Sequence, residues 1–235
     1  MSIGVCIEWL RGPVFWAALV FMFLGLGRHV AISVWGIVRA YRRASDKNFP
    51  VGQLVRSTLR WLLPTGHLRD RPLYGLTTAA LHASVIVVPV FLAGHIALWQ
   101  AGLGISWPAL PTAMATALTV VAVVAALAIV VQRLASPESR ALSRFQDFAI
   151  PLFLAVPFAS GFAVMHPQWN PVSYQSALLI HLLSADLLLF LIPLTKLSHM
   201  VLLPTTQVVS ELAWHFPAGA GARVGQALGK VDEPI

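Results

Sequence analysis

Five long apolar runs divide this chain, and each is close to the roughly 20 residues that a helix needs to cross a ~30 Å hydrocarbon core. No stretch shows the alternating segments of ~10 residues that membrane β-strands require. Helices are the expected form because backbone polar groups cannot stay unpaired in lipid. The pattern predicts an all-α integral membrane protein with five transmembrane helices, at about residues 13–38, 76–99, 111–134, 147–165 and 177–203.

The longest polar segment, 39–75, contains one further helical pattern. In VGQLVRSTLRWLLP, residues 51–64, apolar residues recur at helical spacing with arginines between them. We expect a short amphipathic helix on the cytoplasmic face, ended by Pro64 and Gly66. No repeat or second folded module is evident, so residues 1–235 are predicted to form one membrane domain.

Composition and charge placement give this domain an orientation. The chain is 57% hydrophobic, and its formal net charge is +7. Eight of the sixteen Lys and Arg residues lie between the first two predicted helices, whereas 100–110 and 166–176 carry no charge. This asymmetry predicts an outside N-terminus and a cytoplasmic C-terminus. The basic excess is therefore an orientation signal first, with an acidic partner or anionic lipid as the secondary interpretation, and its placement does not indicate nucleic acid.

Histidines supply the candidate chemistry. The chain has eight, and four stand in the second and fifth predicted helices. His82 is expected in the inner part of the second helix and His95 in its outer part, while the antiparallel fifth helix has His181 outside and His199 inside. One imidazole from each helix is thus predicted at each of two depths.

The pair in the fifth helix predicts a cofactor near each membrane surface. Eighteen residues separate His181 from His199, which corresponds to ~27 Å and five whole helical turns, so both side chains are expected to point the same way. This geometry suits two b-type haems, each held between an imidazole of the second helix and one of the fifth. Such six-coordinate haems are suited to electron transfer. The alternative is that these histidines are hydrogen-bonded packing residues.

A resemblance supports the first interpretation. The segment IHLLSADLLLFLIPLTKLSHMVLLP, from Ile180 to Pro204, resembles the last helix of the gamma subunit of respiratory nitrate reductase. That wider group includes the membrane cytochrome b subunits of complexes associated with sulfite reduction or similar to heterodisulfide reductase. The segment AGHI, Ala93–Ile96, is similar to the Gly-His sequence that carries the family's outer ligand. The shared pattern of the last helix is His181, Pro193, Thr195, Lys196, His199 and Pro204.

The resemblance implies a set of site residues. His82 and His199 would bind an inner haem, and His95 and His181 an outer one, with the quinol site near Gly94, His95 and His181. It also implies a respiratory complex in the bacterial cytoplasmic membrane, with quinone as substrate. One departure is the spacing of His82 and His95. Thirteen residues turn a straight helix by ~220°, so we expect Pro89 to kink or unwind the helix between them; His29 is the alternative ligand.

Two further ionisable groups lie in the fifth helix, where charge is costly and usually functional. Asp186 is a candidate proton acceptor for quinol oxidation, or it forms a structural hydrogen bond. Lys196 either reaches the interface or pairs with a haem propionate, and Arg28 in the first helix is a second propionate candidate.

The sequence therefore predicts a di-haem cytochrome b membrane subunit. It would exchange electrons between quinol, or quinone in the reverse direction, and a cytoplasmic iron–sulfur subunit. The chain has one cysteine, Cys6, and so cannot supply the ligands of a cluster itself. The alternatives are a haem-free membrane anchor for a soluble enzyme and a small transporter that uses Asp186.

Overall fold

The computed structural model describes residues 2–43, 51–62, 71–213 and 220–230, and the regular structure in these ranges is helical throughout. Within these ranges five helices are long and apolar enough to cross a membrane, which agrees with the predicted number. We call them the first to fifth spans in chain order. Their bounds are Ile3–Arg43, Pro72–Phe91, Thr112–Ala135, Phe145–Met165 and Tyr174–Leu194.

Shorter helices connect or follow the spans. The predicted amphipathic segment 51–64 forms the helix Val51–Leu62, and its last two residues lie outside the described ranges. The other short helices are Ala93–Leu103, Pro137–Leu142, His199–Ala213 and Ala220–Ala227, with 3-10 turns at Pro167–Trp169, Ile192–Leu194 and Lys196–Ser198.

The first span is longer than the predicted 13–38. It begins at Ile3, and a π turn at Leu10–Val14 interrupts its regular α-helix. Pro13 lies in this turn, and proline lacks the N–H group that a regular helix needs at that position. The N-terminal helix Ile3–Trp9 therefore continues into the span instead of preceding it as a separate segment.

The second predicted helix, 76–99, is two helices. The second span ends at Phe91, Leu92 is extended with φ −72° and ψ 130°, and a new helix runs over Ala93–Leu103. Pro89 lies three residues before this break, so the expected local unwinding near Pro89 is confirmed. Gly104, with φ 71°, ends the helix Ala93–Leu103 in a left-handed conformation that glycine adopts without steric cost.

The fifth predicted helix, 177–203, is also interrupted, and the prediction of one continuous helix is wrong. Its α-helix ends at Leu191, two 3-10 turns follow, and Thr195 between them is extended. A new helix begins at His199. The argument that five whole turns separate His181 from His199 therefore fails, because Pro193 and the extended Thr195 change the helical register.

By its internal contacts the chain divides into two compact units. One comprises Met1–Phe21 with Pro64–Leu191, and the other Met22–Leu63 with Ile192–Ile235. The prediction of a single membrane domain over 1–235 stays a prediction. His95 and His181 belong to the first unit, and His199 to the second.

The core of the first unit is built around the third span. That span packs against the second and fourth spans, and the fourth packs against the fifth. Most of the buried side chains of the third span are small, and Ala122 and Ala126 are almost fully buried. Small side chains let helix backbones approach closely in membranes. The cluster consists of Leu81, Val88, Ala122, Ala125, Ala126, Ile129, Leu154, Ala155 and Phe158.

Candidate functional site

The four predicted haem ligands share one hydrogen-bonding pattern. In each, ring nitrogen Nδ1 lies within hydrogen-bonding distance of a backbone carbonyl oxygen. A carbonyl only accepts, so Nδ1 carries the proton and donates. The acceptors are Thr78 for His82 (2.8 Å), Pro89 for His95 (3.0 Å), Pro157 for His181 (2.8 Å) and Lys196 for His199 (2.8 Å).

The other two described histidines use the opposite nitrogen. His29 donates from Nε2 to the carbonyl oxygen of Pro193 at 2.8 Å. His166 bonds through Nε2 with the hydroxyl of Thr116 at 3.1 Å. His67 and His215 lie outside the described residues. Among the histidines described, the four predicted ligands thus share a bond from Nδ1 to a backbone carbonyl, and His29 and His166 bond through Nε2.

This pattern matters because a neutral imidazole has one N–H and one nitrogen with a lone pair. When Nδ1 donates to a carbonyl, Nε2 carries the lone pair. Histidines that bind metals characteristically donate their second ring N–H to a carbonyl, carboxylate or water, which fixes the ring's orientation and raises its basicity as a ligand. His82, His95, His181 and His199 all have this arrangement, while His29 commits Nε2 to Pro193.

His95 and His181 come together in the first unit. Their ring centres are 6.0 Å apart and their planes differ by only 2°. A metal ion between two imidazole nitrogens, with bonds of about 2 Å each, separates the ring centres by about 6 Å. Among the described residues no group of three or more His, Cys, Asp or Glu side chains gathers as a metal site. The candidate site is therefore this pair of parallel imidazoles.

The fourth span positions the His181 ring. Besides the bond from Nδ1 to Pro157, the ring lies against Gly161, where an added Cβ would be 3.1 Å from both Cε1 and Nδ1. This is tighter than nearly all real Cβ contacts, so the ring's position depends on the missing side chain. Gly161 is a site residue that sequence reasoning missed.

The break at Leu92 positions the His95 ring. His95 is the third residue of the new helix, and its Nδ1 reaches back over the break to the carbonyl of Pro89. In an unbroken helix that carbonyl would accept the amide of residue 93. The ~220° rotation expected between His82 and His95 in a straight helix therefore does not apply, because the helix is not continuous between them.

His82 and His199 stand in different units. His82 is exposed on the second span, and His199 is half-buried at the start of its helix. Each donates from Nδ1 to a backbone carbonyl, as described above. Their assignment to one inner haem stays a prediction of the sequence.

Asp186 lies on a different face of the fifth span from His181. Five residues of helix rotate one side chain from another by about 140°. The residues one turn before and after Asp186, Leu182 and Phe190, both contact the first span: Leu182 packs with Ile7 and Leu10, and the ring of Phe190 lies 5.2 Å from that of Phe21. Asp186 is only 4% exposed, and within the described residues its Oδ2 has no hydrogen-bond partner.

The remaining predicted site residues are exposed. Gly94 precedes His95, and an added Cβ there would meet no atom within 4 Å outside its chain neighbours and its own helix backbone. Arg28 is exposed on the first span. Lys196 is exposed too, and its backbone carbonyl orients His199. The roles of Arg28 and Lys196 toward propionates stay predictions.

Comparison with known proteins identifies one relative. No protein-family model matches the chain, and no solved structure matches it. The chain is 36% identical over 198 residues to a protein of Nitratidesulfovibrio vulgaris (strain Hildenborough) that carries the plain name "Protein". The match covers 82% of this chain and 86% of the relative. At this identity and coverage, the chain belongs to the same family as that N. vulgaris protein.

Proposed function

We propose that this chain is the di-haem cytochrome b subunit of a membrane oxidoreductase complex. In this proposal it exchanges electrons between quinone and a cytoplasmic iron–sulfur subunit in the bacterial cytoplasmic membrane. The observation that carries the proposal is the pair His95 and His181, whose rings are parallel to within 2° and 6.0 Å apart.

The residues present fit a haem. His95 and His181 would hold the haem through their two imidazoles. The Nδ1 bonds to Pro89 and Pro157 leave the lone pair of each ring on Nε2, the nitrogen that would bind the metal. When bound, a six-coordinate haem supplies one-electron transfer without an open position for oxygen.

The protein's own contribution is to hold the two imidazole rings and to orient them. His95 and His181 are fixed through carbonyls of two different elements, so neither ring depends on the other for its position. Held in this way, the two rings would keep their orientation toward a bound haem. In the proposed function His82 and His199 bind the inner haem, with Lys196 and Arg28 available to its propionates.

Quinone chemistry also requires proton transfer. Two protons leave a quinol when it gives up two electrons, and a carboxylate near the site is a suitable acceptor. Asp186 is the proposed acceptor, supported by its burial and its unpaired Oδ2. Because Leu182 and Phe190, one turn before and after Asp186, contact the first span, Asp186 would receive the proton indirectly, by a route between the first and fifth spans, and would not contact the quinol itself. The space beside Gly94 is proposed for the quinol ring.

Haem content after single substitutions tests the proposal. His181→Ala and His95→Ala should each remove the outer haem and leave the inner one, measured as a pyridine haemochrome count per purified chain. The matched control is His166→Ala, which deletes another histidine of the first unit whose Nε2 bonds to Thr116. A colourless wild-type protein, or His181→Ala with undiminished pigment, would contradict the proposal and favour a haem-free membrane anchor.

A second experiment tests the proton acceptor separately. Asp186→Asn keeps the shape of the side chain and removes the acid. Quinol turnover should fall while the haem spectrum stays that of the wild type. Unchanged turnover would assign Asp186 a structural role.

A further inference from the structure

The Leu92 break leaves three consecutive carbonyl groups without their helical partners. In a continuous helix the carbonyls of Pro89, Val90 and Phe91 would accept the amides four residues later. Extended Leu92 moves those amides out of register. Unpaired carbonyls are costly at membrane depth, so such a break persists only where other donors replace the lost ones.

Three donors from outside the second span replace them, one for each carbonyl. His95 Nδ1 donates to Pro89 at 3.0 Å. The indole Nε1 of Trp107 donates to Val90 at 2.9 Å, and the amide of Leu110 donates to Phe91 at 2.9 Å. Trp107 and Leu110 belong to the uncharged segment that follows Gly104, and this segment therefore folds back over the break.

The indole of Trp107 is itself held in an aromatic cluster. Its ring lies 5.9 Å from that of Trp99, and Trp99 lies 5.7 Å from Trp16 on the first span. Trp16 in turn packs against Gly102, where no larger side chain would fit. Trp99 is one helical turn after His95, so the cluster connects the helix that carries His95 to the donor at the break.

We propose that Trp107 is a positioning residue for His95: its indole N–H keeps the second span open at Leu92, and the open helix sets the direction of the His95 ring. Without this donor, Val90 would regain its helical partner, the amide of Gly94, and the helix would close across Leu92. Closure would rotate His95 away from His181. The inference rests on the proposed function, because its consequence is read at the outer haem.

Trp107→Phe tests the proposal by keeping an aromatic ring and removing the N–H. The outer haem should be retained about 10-fold or more less tightly, a typical loss for a residue that orients a metal ligand. The low-spin EPR signal of the haem that remains should shift, since this signal reports the angle between the two imidazole planes. The inner haem of the same sample serves as the internal reference.

Two matched controls separate the hydrogen bond from packing. Trp99→Phe alters the same aromatic cluster without removing the donor to Val90, and Trp169→Phe alters an indole that is 73% exposed. Both should keep the wild-type haem content and EPR signal. If Trp107→Phe fails to fold, benzothienylalanine at position 107 replaces it, because this residue keeps the bicyclic shape and lacks only the N–H.

The outcomes distinguish this inference from the proposed function. A wild-type protein without the outer haem overturns the proposed function, and the inference falls with it. A haem-loaded wild type with a Trp107→Phe variant that matches Trp99→Phe in haem retention and EPR signal overturns the inference alone. Loss or shift of the outer haem signal in Trp107→Phe, but in neither control, supports it.

Discussion

The chain contains two interrupted helices, and they differ in how the interruption is stabilised. One break is at Leu92 and the other at Thr195; each follows a proline, Pro89 or Pro193, by two or three residues, and a histidine lies soon after each. In both cases the carbonyl of that proline accepts a hydrogen bond from an imidazole. Both breaks therefore combine a proline with an imidazole that donates to the carbonyl of that proline.

The difference lies in which histidine bonds to the proline. At Leu92 the donor is His95, the proposed ligand itself. At Thr195 the donor is His29, which comes from the first span, while His199 donates to the nearer carbonyl of Lys196. The Thr195 break also uses short-range bonds: Thr195 Oγ1 accepts the amide of Leu197, and Ser198 donates to the carbonyl of Thr195. At Leu92 one histidine both stabilises the break and is the proposed ligand, whereas at Thr195 these two roles belong to different histidines.

The largest expected effect concerns the pair His95 and His181, in which the His95 ring is oriented by the Leu92 break. Gly161→Ala would place a Cβ 3.1 Å from the His181 ring, so the ring would have to shift by a few tenths of an ångström. We expect outer haem retention to fall about 10-fold or more, as for other residues that orient a metal ligand. Haemin titration of the haem-depleted protein measures this change.

Gly94→Ala is the matched control, because a Cβ at that position meets no atom within 4 Å outside its chain neighbours and its own helix backbone. It should bind the outer haem as the wild type does. Equal haem affinity in Gly161→Ala and Gly94→Ala would show that the close approach to His181 is not required.

An intermediate effect is expected at the Thr195 break. His29→Phe removes the donor to the Pro193 carbonyl, and an unsatisfied, partly buried carbonyl costs about 1–3 kcal/mol. The thermal midpoint should fall, while haem content should not change, because His29 stabilises the break and is not a ligand in our proposal. His29→Gln, which keeps an N–H donor, should recover part of the stability; loss of a haem in His29→Phe would contradict the separation of functions.

The smallest effect is expected from the local cap of the same break. Thr195→Val removes the oxygen that accepts the Leu197 amide, and losing a capping oxygen typically costs about 1 kcal/mol. Thr195→Ser retains the oxygen and should match the wild type. The measurement is the thermal midpoint in detergent. Equal midpoints for the valine and serine variants would show that the Thr195 hydroxyl does not stabilise this break.

Much of the architecture could be predicted from the sequence, because apolar length alone specifies membrane spans. The five spans and the amphipathic helix after the first were expected, and Pro89 indicated the interruption of the second. The break at Thr195 was not expected, although Pro193 was a signal for it. A continuous apolar pattern conceals such breaks, since lipid-facing residues look the same in a helix and in a 3-10 turn.

The site was predictable only in part. Matched depth in two antiparallel helices, together with the family resemblance, paired His95 with His181, and the structure brings them together. The groups that orient them were not foreseen, because backbone carbonyls such as those of Pro89 and Pro157 have no signature in sequence. Gly161 and Trp107 had only weak signals, a small residue in the fourth span and a tryptophan in an uncharged loop. The separation of Asp186 from His181 follows directly from helical geometry once the helix is known to be regular over Tyr174–Leu191.

The carbonyl bonds at Nδ1 also limit what these histidines can carry. Histidine is the side chain most often used to relay protons near neutral pH. A ring that donates through one nitrogen to a carbonyl, and offers the other to a metal, has no site left to receive a proton. If they bind haem, the four imidazoles would therefore serve electron transfer only. Protons released during turnover would have to leave through carboxylates or water. Electron and proton routes would be physically separate within a single small subunit.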